Sequence, residues 1–201
     1  MRTIAIWLAI WATAGAVPLG AVIVDRVAIT VGNKVITESE IDLRIRLTAF
    51  EGDEKPDFSL AARRQAAQRL IEQKLVEREM DVGRYPRVAP EAAKQVTAAA
   101  ALTLKDAGLT PDDLARDLAW QRELLTFLSL RFRPAVQVTD QDVEKYFKEQ
   151  SLKGELNDLR AQIEEKLTGE RADKELDLWL QDQRKRTRIE YLEKDLVEDA
   201  K

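Results

Sequence analysis

The sequence contains no cysteine and no histidine. Without cysteine, the chain can form no disulfide, no thiolate nucleophile and no Cys-ligated zinc site. Without histidine, it lacks the side chain that most often acts as a general base at neutral pH and most often binds transition metals. Hydrolytic triads and zincin-type sites are therefore excluded. Because no glycine-rich phosphate loop is present either, we expect no enzyme activity, no cofactor and no metal site.

Neither sign of charge is in large excess. The chain has 32 Lys and Arg against 36 Asp and Glu, which gives a formal net charge of −4. The basic run Arg184-Lys185-Arg186 lies near a predicted helix end, where cations interact favourably with the helix dipole. The acidic residues do not have the spacing of an EF-hand loop, with its central glycine and terminal Glu. We therefore expect no nucleic-acid partner and no calcium site.

The one long apolar run is at the N-terminus, and no later run could span a membrane. Residues 1–21 have the form of a secretory signal peptide, with Arg2 ahead of the apolar stretch Ile4–Ala14. We prefer cleavage after Ala21, with Ala16 as a second candidate. An uncleaved anchor is the alternative, although the run is short for a spanning helix. We expect residues 22–201 to be exported to the periplasm and to form a single domain.

Segments rich in β-branched residues lie at the two ends of the mature chain. Val22–Thr30, the turn at Gly32-Asn33 and Lys34–Ile36 together predict a β-hairpin. Thr187–Leu192 alternates polar and apolar residues, as a half-buried strand does. Because an isolated hairpin is barely stable in water, we predict that this C-terminal segment is the third strand of one small sheet.

The remainder of the mature chain shows helical spacing and helix-start signals. Thr37 and Glu40 have the spacing of a capping box, and Ser59, Thr110 and Thr139 can cap later helices. The predicted helices run from about 38 to 51, 59 to 83, 90 to 107, 110 to 133, 139 to 150 and 156 to 167, with a seventh after Gly169. The predicted fold is mainly α, a helical bundle-like core with a small β-sheet that joins the N-terminal hairpin and the C-terminal strand.

Four segments of the mature chain carry a family resemblance. The stretch from Val24 to Asp42, with its strand, turn and Glu-containing helix start, is similar to the opening of the N-terminal core domain of the SurA-type periplasmic chaperones. Val138–Phe147 resembles the segment that leads into the family's first isomerase domain. Leu159–Leu167 and Leu178–Tyr191 resemble its closing helix and strand. The resemblance divides the core into an N-terminal part, 22–150, and a C-terminal helix and strand, 155–193.

The chain departs from that family where a parvulin-type prolyl-isomerase domain would be inserted. Only the six residues from Glu149 to Gly154 lie there, too few for such a domain. The resemblance therefore implies a chaperone that binds unfolded outer-membrane or exported polypeptides without isomerase activity.

Two apolar stripes run along the helix predicted from Thr110 to Arg133. At about 100° per residue, Trp120, Leu124 and Phe127 fall on a different side from the stripe formed by Leu114, Leu118, Leu125, Leu128 and Phe132. If both stripes are core, the helix packs against neighbours on two sides. If the aromatic stripe is open, Trp120, Leu124 and Phe127 line a groove for apolar segments of clients.

The sequence leaves two functions open. One is a chaperone that binds many unfolded polypeptides, and the other is a structural or adaptor protein that binds one folded envelope partner through the same helical core. Exchange of the terminal strand between two chains would give a homodimer.

Overall fold

The computed structural model describes residues 25–89 and 101–197. The predicted signal peptide and most of the predicted helix from Pro90 to Ala107 lie outside these ranges. Within them the fold is mainly α with one small antiparallel sheet, as the sequence predicted. None of the helices in the described part combines the length and the apolar character needed to cross a bilayer.

Six helices and three strands follow one another in the described residues. Their bounds are β1 (Val27–Val31), β2 (Lys34–Thr37), α1 (Glu38–Glu51), α2 (Leu60–Gly83), α3 (Ala101–Asp106), α4 (Pro111–Arg131), α5 (Asp140–Glu149), α6 (Leu156–Arg186) and β3 (Ile189–Tyr191). Short 3-10 turns occupy Arg133–Ala135 and Lys194–Leu196.

The sheet has the order β2-β1-β3, with antiparallel pairing on both sides of β1. Ile29 lies opposite Ile36 on one side and Tyr191 on the other. Gly32 holds a left-handed φ of 60° in the hairpin turn, a conformation that glycine adopts without steric cost. The prediction that the N-terminal hairpin and the C-terminal segment join one sheet is confirmed, with residues 22–24 of the predicted strand lying outside the described ranges. Here β1 pairs with β3 of the same chain.

Three helices begin with the capping boxes that their sequences indicate. The hydroxyls of Thr37, Thr110 and Thr139 each accept a hydrogen bond from the backbone N–H three residues later, at 3.3, 3.1 and 3.2 Å. In each case the acidic side chain at that position accepts from the threonine N–H in return. These reciprocal bonds satisfy backbone donors that the helix leaves unpaired and so fix where α1, α4 and α5 start.

The main core cluster lies between the sheet, α1, α2, α4 and the second half of α6. Ile29, Ile71, Phe127 and Leu196 are among its fully buried side chains. A smaller cluster joins α1 to α3 and the start of α4, through Leu47, Leu104, Leu109 and Leu114. The two clusters hold α4 against the rest of the molecule on different faces.

The predicted break at Gly169 is wrong. The two C-terminal helical runs form one continuous helix, α6, of 31 residues. Glycine inside a helix costs only about 1 kcal/mol relative to alanine. Burial of Ile163 before the glycine and of Ala172 and Leu180 after it outweighs that cost.

Candidate functional site

Helix α4 carries the three residues predicted to contact peptides, Trp120, Leu124 and Phe127. The helix has a fixed start, because Thr110 and Asp113 form its capping box and Pro111 lies in its first turn. Trp120 and Leu124 are four residues apart and so lie on the same face, one turn above the other.

Trp120 and Leu124 line an apolar groove between α4, α2 and α6. Helix α6 contributes Leu176 and Leu180, and α2 contributes Val76. The groove has a volume of about 210 Å³. A dry apolar cavity of about 150 Å³ can hold benzene, whereas small-molecule pockets usually begin at about 300 Å³. The groove therefore has room for one aromatic or large aliphatic side chain.

Charged and polar side chains of α1 and α2 form the remaining wall of the groove: Arg44, Arg69, Glu72 and Gln73. Glu72 Oε1 accepts a hydrogen bond from Arg184 Nη2 at 2.9 Å, so an α6 cation already balances its charge. Arg69 Nη1 donates to the hydroxyl of Thr48 at 3.1 Å. An apolar floor with a polar rim is the usual anatomy of a binding site for polypeptide.

Beside the groove, Arg44 belongs to a polar network that joins α1 to α4. Its Nη1 lies 2.7 Å from Oδ1 of Asp117, whose side chain is only 1% exposed. The two groups form an ion pair, but their geometry is not that of a hydrogen bond. Gln121 Nε2 donates to Asp117 Oδ2 at 2.9 Å and to Glu51 Oε1 at 2.6 Å. Loss of hydration where Glu51 meets α4 raises the pKa of this carboxyl, and the neighbouring Asp117 carboxylate raises it further.

Phe127 lies in the core and not in the groove, which corrects the expectation that it contacts peptides together with Trp120 and Leu124. Its side chain is 0% exposed. Its ring makes edge-on contacts with Tyr85, Phe132 and Trp179, at centroid distances of 5.1, 5.5 and 5.7 Å. These rings cover the side of α4 that faces the end of α2 and the second half of α6, so a peptide has no access to Phe127.

A buried carboxylate holds the chain after α2 against the same part of α4. Glu123 accepts a hydrogen bond from the backbone N–H of Val88 and another from Arg87 Nη1, both at 2.8 Å. Arg87 Nη2 also donates to Asp81 Oδ1 at 2.5 Å. This clamp fixes the segment that carries Tyr85 and so helps to close the core around Phe127.

The other predicted stripe is also divided by the structure. Leu114 and Phe132 are buried, at 8% exposure each, whereas Leu125 is 64% exposed. Leu125 directly follows the groove residue Leu124 but does not line the groove. It is therefore an apolar surface residue with which groove residues can be compared.

Sequence reasoning missed the groove residues that come from other helices. Leu176 and Leu180 have helical spacing, which predicts burial but not their partners. Arg44 and Arg69 look like ordinary surface charges in the sequence. Only the packing of α1 and α2 against α4 brings them beside Trp120.

No protein-family model matches this chain, and no curated protein sequence matches it.

Proposed function

We propose that this chain is an exported periplasmic chaperone that binds unfolded or extended polypeptides and has no prolyl-isomerase activity. The observation that carries the proposal is the groove in which Trp120, Leu124, Leu176 and Leu180 surround a space the size of one large side chain. The resemblance of the chain to SurA-type chaperones supports the same function. The short connection from Glu149 to Leu156, between α5 and α6, supports the lack of isomerase activity.

The size of the groove favours weak and broad binding. Burial of one large apolar side chain contributes roughly 1.5 to 3 kcal/mol before ordering costs are subtracted. One such side chain supplies less than the roughly 4 kcal/mol of millimolar binding, so a client should reach micromolar rather than nanomolar affinity only when several side chains, the aromatic ones above all, make contact together. Weak, exchangeable contact with many segments is what a chaperone of unfolded chains needs.

The test is aggregation of an unfolded outer-membrane β-barrel protein and of an unrelated soluble protein, each diluted from denaturant with and without this chain. We expect suppression of both. Replacing Leu124 with Ser should reduce the suppression several-fold, because a polar side chain then replaces part of the apolar floor. Leu125→Ser is the matched control, since it makes the same change one residue away, outside the groove, and should leave suppression intact.

Three results would argue against this proposal. Equal losses in Leu124→Ser and Leu125→Ser would place binding outside the groove. Failure to suppress aggregation of either client, together with tight binding to one folded envelope protein, would favour the adaptor function. Acceleration of cis/trans exchange in a proline peptide would contradict the absence of isomerase activity. Thermal unfolding of each variant shows whether the substitution has left the fold intact.

A further inference from the structure

The chain as a whole is slightly acidic, but the wall of the groove has more cationic than anionic side chains. Arg44 of α1 and Arg69 of α2 both line the groove, and Glu72 is its acidic lining residue. Because Glu72 is paired with Arg184, it does little to neutralise the two arginines. A positive rim beside an apolar floor favours a ligand in which a negative charge lies close to an apolar side chain.

Arg69 is the better placed of the two arginines to receive such a charge. Arg44 already lies against the buried carboxylate of Asp117. Arg69 is exposed. In the described part of the chain, its side chain donates a hydrogen bond to the neutral hydroxyl of Thr48. No carboxylate in the described part of the chain forms an ion pair with it.

Arg69 also lies at the junction of two hollows. It lines the apolar groove and, on its other side, a second hollow of about 220 Å³ whose lining includes Glu54, Lys55 and Asp57. Glu54, Lys55 and Asp57 belong to the loop after α1. The side chain of Arg69 therefore borders the groove and can be met there by a ligand.

We infer that the groove selects segments in which an aromatic residue is followed or preceded, two positions away, by an aspartate or glutamate. The inference rests on the proposed function, since it names the class of segment that the groove prefers. In an extended chain, alternate side chains point to the same face. One residue of such a pair can enter the space beside Trp120 while the other meets Arg69. We assign the negative charge of the ligand to an acidic side chain rather than to a C-terminal carboxylate, because a long unfolded chain has many acidic side chains and only one C-terminus.

The test uses short dye-labelled peptides, acetylated and amidated at their ends, in a Gly/Ser background. The central sequences are Phe-Ser-Asp, Phe-Ser-Asn, Phe-Ser-Lys and Ser-Ser-Asp, and binding is followed by fluorescence anisotropy. At low salt, the Asp peptide should bind about three- to fivefold more tightly than the Asn peptide, the range expected of an exposed ion pair. The Lys peptide should be the weakest of the three that contain Phe. The preference should shrink as salt is raised to about 1 M.

Arg69→Gln should bring the ratio of Asp-peptide to Asn-peptide affinity to about one, and this ratio is the readout whatever the substitution does to binding of the Asn peptide itself. Arg188→Gln is the matched control, because that arginine is 82% exposed on the sheet, pairs with Glu190 and lies outside the groove. It should keep the full preference.

The outcomes separate the inference from the proposed function. Equal binding of the Asp and Asn peptides, or equal effects of Arg69→Gln and Arg188→Gln, would overturn the inference and leave the chaperone proposal standing. A Phe-Ser-Asn peptide with a free C-terminal carboxylate that binds more tightly than the amidated Asp peptide would also overturn it, in favour of terminal recognition. Failure of all Phe-containing peptides to bind would remove the proposed function and the inference with it.

Discussion

The two halves of α6 lie in different surroundings. After Gly169, the helix packs into the main core cluster, where Trp179 contacts Phe127 and Phe132 edge-on at 5.7 and 6.2 Å. Before Gly169, it packs with α5 to form an arm, residues 140–168. The buried side chains of the arm are Val143 and Ile163, and neither belongs to the main cluster. One continuous helix therefore joins a well-packed block to a thinly packed arm.

Exposed ion pairs add to the packing of the arm. Arg160 pairs with Asp140 within the arm, Arg133 of the segment before α5 pairs with Glu165, and Arg171 of the half of α6 after Gly169 pairs with Asp142, at 2.5, 2.5 and 2.7 Å. Exposed ion pairs contribute only about 0 to 1 kcal/mol each. We therefore expect the arm to open locally at a lower free energy than the block.

The largest effect should come from the centre of the block. Phe127→Ala should lower the free energy of unfolding by about 3 to 5 kcal/mol, because it leaves a cavity among Tyr85, Phe132 and Trp179. Denaturant titration measures this loss. A cost below about 1 kcal/mol would mean that the ring is not the centre of the block, and peptide contact by Phe127 would return as an explanation for its aromatic character.

A substitution in the arm should have a large local effect and a small global one. Ile163 is 3% exposed, so Ile163→Ala should remove about 2 kcal/mol or more from the packing of the arm. Amide hydrogen exchange should quicken in residues 140–168, while α2 keeps its protection. Ile71→Ala, at a fully buried position of the block, is the control and should raise exchange throughout the molecule. If Ile163→Ala also exposes α2, the arm and the block unfold as one unit.

Acid should loosen the arm before the block. Hydrogen bonds from Arg171 and Thr139 hold the pKa of Asp142 well below its usual value, and Arg133 likewise lowers the pKa of Glu165. Carboxyls with a lowered pKa stabilise the fold above their unfolded-state values of about 4 and lose that contribution as pH falls through the folded values. Amide shifts of the arm should therefore change below about pH 4, while those around the buried Ile71 in the middle of α2, away from Asp81 and its own lowered pKa, persist. In the Asp142→Asn variant, the part of the acid-induced change in the arm's amide shifts that comes from Asp142 should be absent.

Glycine substitutions give the smallest effects and distinguish open from closed helix surroundings. Gly169 is helical, and apart from its chain neighbours and the backbone of its own helix no atom lies within 4 Å of the position that a Cβ would take, so Gly169→Ala should stabilise α6 by about 0.5 to 1 kcal/mol. At Gly83 an added Cβ would collide with the ring of Tyr85, so Gly83→Ala should destabilise the fold. Thermal unfolding of the two variants should shift in opposite directions. A destabilising Gly169→Ala would mean that the join between arm and block needs a flexible residue.

The sequence predicted the parts of the fold that depend on local chemistry. Threonine caps, the turn at Gly32 and the β-branched ends determine where elements start, and the structure has them at those places. The break at Gly169 was wrong because the weak preference of one residue was overcome by packing on both sides of it. Local signals cannot weigh such packing.

The groove was only half predictable for a related reason. Helical spacing separates the faces of α4, but it does not show which neighbour covers each face. Phe127 lies on nearly the same side as Trp120, yet the aromatic rings of other elements bury it, while Trp120 and Leu124 remain beside a space. The rim arginines come from helices far away in the sequence, so no local pattern could assign them to the site.

The position of β1 at the centre of the sheet affects the order in which the chain can fold. Ile29 pairs with Tyr191, so the sheet cannot close until about 160 further residues have been synthesised. At ~5 to 20 residues per second, that delay lasts roughly 8 to 30 s. During this time the N-terminal hairpin has no third strand and is only marginally stable. Under the proposed export, such a delay would be useful, because a chain that has not yet closed its contacts of high sequence separation can still be threaded through a translocation channel.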